Sequence, residues 1–236
     1  PGNRDAQESR GLGDVYKRQP NYAEGFLNLG TALGALGKTD QAIEAYRKAL
    51  SIKPDYSEAY YNMGNALKVQ GKLDQAIESY DKAISIKHNY ADAYNNKGSA
   101  LKDQGKLDEA IEVYDKVLLL NPKNANCYNN IGVAYQEQGN LDKALEALKK
   151  SILLEPNYPE AYYNIGNILK DLGKLDDAIE AFKKSLSLNP KNADVFINIG
   201  VALREQFNFD EAIEAYNEAL LLKPDYAEAY HNKALV

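Results

Sequence analysis

Seven asparagines raise the first chemical question: Asn28, Asn62, Asn96, Asn130, Asn164, Asn198 and Asn232 recur at intervals of 34 residues. A side-chain amide carries both donors and an acceptor, so it can pair with a peptide unit in both directions. Asparagine is a mediocre helix former, and local propensity gives no reason to repeat it. Each one follows an aromatic residue by two positions, as Asn96 follows Tyr94, and this turns it away from the side the aromatic buries. A row of such amides suits an extended polypeptide backbone. The alternative is that the amides bond neighbouring helices, and the two roles are compatible. The same helix face carries Tyr61 and Tyr163 as aromatic anchors, with Asn65 and Asn167 nearby. One turn further lie Lys68, Lys102 and Lys170, beside Asp103 and Asp171. Such a lining predicts backbone recognition with modest side-chain selectivity, and solvated ion pairs there contribute little.

Other reactive side chains do not assemble into a catalytic pattern. Cys127 stands where other copies have Ala59, Ala93 or Ala161, the slot of a small buried residue. His88 replaces a recurring proline, and His231 lies several copies away. Metal-ligand spacing, a nucleophile elbow and a phosphate loop are all missing from the sequence. No catalytic residue, metal or cofactor is therefore expected.

The totals narrow the partner class. The chain has 236 residues, 44% hydrophobic and 26% charged, with a formal net charge of -6. No run approaches the roughly 18 apolar residues of a spanning helix. Lysines sit beside carboxylates, as in Lys72-Leu73-Asp74 and Asp81-Lys82, so no patch gathers the positive charge that nucleic acid requires. Neither membrane nor nucleic acid is an expected partner. The first residues lack a basic start followed by an apolar stretch, and a single cysteine fits a reducing compartment. Both point to the cytoplasm.

The elements that position these residues follow from the same period. Pro20, Pro54, Pro122, Pro156, Pro190 and Pro224 keep it, with His88 in the missing place; Gly30 to Gly200 and Ala42 to Ala212 repeat in step. A fixed period of this length means one helical unit copied and stacked. Tyr60, Met63, Gly64 and Leu67 form the stripe of one short amphipathic helix. After Gly71, a second stripe runs through Leu73, Ala76, Ile77, Tyr80, Ala83 and Ile84. The repeats are 23–56, 57–90, 91–124, 125–158, 159–192 and 193–226, with a partial copy at 227–236. Gly64 and Ala76 are expected to let two helix backbones approach closely, with Tyr60 and Tyr80 filling the wider gaps. Second helices should begin near Lys38, Lys72, Lys106, Asn140, Lys174 and Asn208. Only the asparagines among these can cap, and Asn208 with Glu211 forms a capping-box pattern.

Over residues 20–236 this pattern resembles the tetratricopeptide repeat (TPR). The second copy carries it well: Tyr60-Tyr61-Asn62-Met63-Gly64-Asn65-Ala66-Leu67, then Gly71, Ala76, Tyr80 and Ala83. The resemblance implies an all-α solenoid, a right-handed superhelix of antiparallel helix pairs. Its first helices would line a concave face that holds a protein partner or extended peptide. Departures include Leu148 in place of an aromatic, Ser151 and Ser185 in place of alanine, and Phe207 in place of the turn glycine. Phe207 and Phe209 should give the sixth turn a different shape. The asparagine slot is similar to that of O-linked N-acetylglucosamine transferases, where it clamps peptide backbone. A non-catalytic interaction scaffold is the favoured reading, and the substrate-recognition arm of a larger glycosyltransferase is the alternative.

The repeat register fails before residue 20. Residues 20–22 read as the tail of a preceding copy. Residues 1–19 read as a non-repeat leader, expected to be disordered. Its Asp14-Val15-Tyr16-Lys17-Arg18-Gln19 resembles the translation of a transposon end used in preparing sequencing libraries; a natural flexible leader is the other reading. At the opposite end, Val236 interrupts a first helix. The apolar face left there is expected to allow self-association.

Overall fold

A computed structural model describes residues 20–236, so the leader at 1–19 lies outside the described residues. The described chain is helical throughout, with no strand. The first compact unit ends at Pro122. It contains α1 (Pro20–Ala35), α2 (Thr39–Ile52), α3 (Ser57–Val69), α4 (Leu73–Ile86), α5 (Ala91–Asp103) and α6 (Leu107–Leu120). The second begins at Lys123. It contains α7 (Ala125–Glu137), α8 (Leu141–Leu154), α9 (Pro159–Asp171), α10 (Leu175–Leu188), α11 (Ala193–Glu205), α12 (Phe209–Leu222) and α13 (Ala227–Ala234). Within each unit, a first helix packs against its own second helix, and that second helix packs against the next first helix. This is the stacked-pair solenoid the period predicts. α1 begins at Pro20, so residues 20–22 are helical; the later first helices begin at the position equivalent to Ala23.

Five of the six pairs are closed by an aromatic ring seated on a glycine. A Cβ placed on Gly64 would lie 2.6 Å from Tyr80 Cε1, and one on Gly98 would lie 2.5 Å from Tyr114 Cε1. Both tyrosines are fully buried. The glycine thus makes room for a ring of the second helix, which corrects the expectation of a direct backbone approach. Tyr60 plays no such part; it is half-buried and packs with Ala83 and Ile84. Leu148 takes the ring's slot beside Gly132, with its Cγ 2.6 Å from the same imagined Cβ. Ala76, Ala110 and their equivalents are buried completely, as the second stripe requires.

The turns between paired helices share one geometry. Gly105 has φ +75°, its N–H donates to Lys102 O at 2.8 Å, and Lys106 N–H donates to Leu101 O at 3.0 Å. This left-handed ending satisfies the last carbonyls of a helix. Phe207 adopts it too, at φ +64°, with equivalent bonds from Phe207 N–H to Arg204 O and Asn208 N–H to Leu203 O, both 2.9 Å. The sixth turn therefore keeps the common shape, contrary to the sequence expectation. The hydrogen bonds impose the left-handed φ on a side chain that disfavours it.

Capping differs in detail from the sequence reading. Asn140 accepts from Lys143 N–H at 3.4 Å, as expected. Asn208 makes no cap bond; its side chain donates to Gln206 Oε1 at 3.3 Å, and the capping box is not formed. Two first helices are capped instead. Asn124 accepts from Cys127 N–H at 2.9 Å, and Asn192 accepts from Asp194 N–H at 3.1 Å. Ser151 and Ser185, the departures from alanine, are buried and donate to Ala125 O and Pro159 O, each at 2.9 Å.

Candidate functional site

The repeated asparagines fall on the first helices, and the amides of Asn96, Asn164 and Asn198 cross-link successive pairs. In the first unit, the Asn96 amide donates to the Tyr61 hydroxyl at 3.1 Å and to Asn65 Oδ1 at 2.8 Å. Asn65 Oδ1 also accepts from the Tyr80 hydroxyl at 2.8 Å, so one side chain joins α3, α4 and α5. In the second unit, Asn164 donates to Asn129 Oδ1 at 2.9 Å, and Asn198 donates to the Tyr163 hydroxyl at 3.1 Å.

A sequence rule lies behind these bonds. For Asn96, Asn164 and Asn198 the amide reaches the residue 35 positions earlier, respectively Tyr61, Asn129 and Tyr163, each of which offers an acceptor. For Asn62 the corresponding residue is Leu27, and for Asn232 it is Ile197. Neither can accept a bond.

The seven amides are consequently not equivalent, and they do not form one uniformly solvent-reachable series. Asn28 is exposed, five are half-buried, and Asn232 is only 9% exposed. Asn198 is engaged at both ends: its amide also donates to Asp194 O at 3.1 Å, and its Oδ1 accepts from Lys170 Nζ at 2.8 Å. Asn130 donates to Asn126 Oδ1 at 3.1 Å. At Asn96 both amide hydrogens are engaged, so it cannot pair with a peptide unit in both directions. The Oδ1 atoms of Asn96 and Asn164 have no hydrogen-bond partner among the described residues and are not sealed from solvent. These are acceptors without a protein donor.

The flanking residues are likewise held in place. The Tyr61 ring lies 5.0 Å from Tyr90 and 6.2 Å from Tyr80, centroid to centroid; Tyr163 lies 5.9 Å from Phe182. Burial, followed by the fields of Tyr61, Glu58 and Asp92, pushes the Tyr90 phenol up to about 12. Burial raises Tyr80 as well, with Tyr61 adding to it. Lys68 donates to Ser99 Oγ at 2.5 Å and pairs with Asp103 at 3.3 Å; Lys102 pairs with the same carboxylate at 3.2 Å. The basic row is therefore partly occupied by internal partners. Asn167 is half-buried on α9.

One recurring clasp escaped the sequence reading. Gln70 donates to Asp40, Gln104 to Asp74 and Gln206 to Asp176, at 2.7–2.8 Å and always 30 residues apart. The spacing was available in the sequence, but each aspartate also lies in the first turn of its own helix, where it offsets the helix dipole. Cys127 is buried, as its alanine slot predicts. Among the described residues, no three metal-ligating side chains converge, and no helix is long and apolar enough to cross a membrane.

The likenesses to known proteins agree with this geometry. The TPR repeat family matches residues 30–71, 64–105, 98–139 and 134–173, and the tetratricopeptide repeat family matches 159–192 and 193–226. No curated protein matches the chain by sequence. Among solved structures, PilW, a widely conserved type IV pilus biogenesis factor, is 24% identical with a TM-score of 0.81. That alignment covers 91% of this chain and 98% of PilW. A chain of the APC/C Cut9–Hcn1 hetero-tetramer is 21% identical with a TM-score of 0.79; it covers 94% of this chain, which spans 44% of its length. YrrB, a TPR protein with an unusual peptide-binding site, is 28% identical with a TM-score of 0.58, over 81% of this chain and 99% of YrrB. Repeat period, paired helices, glycine-seated rings and left-handed turns thus converge, and the chain belongs to the tetratricopeptide repeat family.

Proposed function

We propose that this chain is a non-catalytic scaffold that holds extended segments of a protein partner against the faces of its first helices. The observation that carries this reading is the asparagine slot, in which Asn96 and Asn164 are oriented by inter-helix bonds through their amide nitrogens. An acceptor fixed in this way can take a peptide N–H without first losing side-chain freedom. Tyr61 and Tyr163, braced by aromatic neighbours, supply platforms beside it. The peptide-binding site named for YrrB supports the same class of function.

A substrate-presenting arm of a larger glycosyltransferase would use the same slot, and the asparagine resemblance is what favours it. Tyr230 on α13 and Leu235 just after it are exposed, which supports self-association, and light scattering across a concentration series tests it.

The decisive experiment is a peptide-array screen with the intact chain and two variants. Asn96→Ala/Asn130→Ala/Asn164→Ala should abolish capture with helical circular dichroism retained. Because that variant also removes inter-helix bonds worth about 0.5–1.5 kcal/mol each, Asn62→Ala serves as the second. The Asn62 side chain makes no hydrogen bond among the described residues. Its loss should weaken capture without lowering stability. Unchanged capture by both variants would remove the amides from recognition.

A further inference from the structure

We propose a second docking surface, on the opposite flank of the last full helix pairs, for a partner segment that presents bulky apolar side chains flanked by lysine or arginine. Two adjoining cavities of 700 and 380 Å³ lie between α10 and α12 and share Lys183, Leu203 and Glu211. They form one groove along the second helices, away from the asparagine slot. Its floor in the larger cavity is apolar: Leu186, Phe196, Ile199 and Leu203. Its walls are acidic, with Asp176, Glu180, Glu211, Glu214 and Glu218 against Lys183 alone.

The four glutamates form no ion pair among the described residues. Asp176 accepts from the neutral Gln206 amide at 2.7 Å. An apolar floor beneath unpaired carboxylates complements a cationic amphipathic segment: apolar side chains fill the floor, and basic groups meet the walls. From Asn208 to Glu218, α12 offers about 15 Å of groove at 1.5 Å per residue, enough for roughly three turns of helix.

Equivalent cavities elsewhere lack this charge. The one between α8 and α10, 520 Å³, balances Lys149 and Lys184 against Asp177 and Glu180. In the first unit, a 480 Å³ cavity pairs Arg47 and Lys82 with Glu78. The repeat architecture therefore produces a comparable hollow at three places, while the sequence of α10 and α12 selects the occupant.

The test is fluorescence polarisation with a labelled peptide, Lys-Lys-Leu-Lys-Lys-Leu-Leu-Lys, against the full chain. Glu211→Gln/Glu214→Gln/Glu218→Gln alters only exposed side chains and should weaken binding about tenfold, the scale of three exposed ion pairs. Glu78→Gln in the first unit should leave binding unchanged. Salt sufficient to shorten the Debye length to about 3 Å should weaken the parent complex. A peptide with serine for each leucine should lose binding, because bare charge attraction does not use the floor. Equal affinity of the triple variant, or equal binding of the serine peptide, would overturn the assignment. So would loss of this peptide in the Asn96→Ala/Asn130→Ala/Asn164→Ala variant, which would place it on the first-helix face.

Discussion

Alanine at Gly98 tests the packing on which every helix pair depends. The added Cβ would sit 2.5 Å from Tyr114 Cε1, 2.8 Å from Cδ1 and 2.9 Å from Cζ, where ordinary contact begins at 3.4 Å. The ring must therefore retreat by about 1 Å into a dense interior. Overpacking of this kind costs about 1–3 kcal/mol. Replacing glycine in a helix interior gains about 1 kcal/mol from propensity, so the net loss is about 0–2 kcal/mol. Gly25 supplies the reference, since a Cβ there meets nothing within 4 Å. Gly25→Ala should gain the same propensity without the clash. The difference between the two variants isolates the steric cost, because the propensity contribution cancels. Guanidinium denaturation followed by circular dichroism measures it. Cooperativity can break down in repeat arrays, so unfolding midpoints should be compared at several wavelengths. Equal stability of the two variants would refute the role assigned to the glycine. Gly98→Leu should be worse than Gly98→Ala for the same reason.

Two further predictions follow from the backbone and the phenols. Phe207→Gly relieves left-handed strain of about 1–2 kcal/mol, offset partly by glycine's entropy, about 0.5–1 kcal/mol, and by the exposed edge contact with Phe209. A net gain of up to about 1 kcal/mol in thermal or chemical denaturation is expected, and a loss would show that the ring pair outweighs the strain. Burial raises the folded-state phenols of Tyr80 and Tyr90, the latter to about 12, above an unfolded value of about 10. The folded state then holds protons that the unfolded state releases, so this stabilisation is complete below pH ~10 and is lost as pH rises through ~12. Tyrosinate absorbance should rise in step with loss of helical signal over that window. Full ionisation of these tyrosines near pH 10 with the helices intact would contradict the burial.

The local features legible in the sequence were those that one repeat dictates by itself. Tyr60, Met63, Gly64 and Leu67 fixed one amphipathic stripe, Leu73 to Ile84 fixed another, and Gly71 fixed the turn between them. Alanine at position 76 and its equivalents had to be buried, and cysteine at 127 shares the burial of Ala59 and Ala93 in its own slot. These follow from helical periodicity and backbone sterics, which act over a few residues. The asparagine slot was equally legible as a repeated polar position on the first helices.

What those amides bond to was decided by tertiary structure. Asn96 and Asn62 occupy the same slot, yet one bonds Tyr61 and Asn65 while the residue 35 before the other is Leu27, which offers no side-chain acceptor. The same holds for the glutamine clasp, which joins residues 30 apart across two helix pairs. Phe207 shows it at the level of the backbone: its own preference is against the left-handed region, but the carbonyls of Leu203 and Arg204 dictate the turn. A sequence period specifies which face a residue occupies, because rotation per residue is a local property. Partner and protonation state depend on how closely the next pair stacks, and only packed coordinates contain that distance.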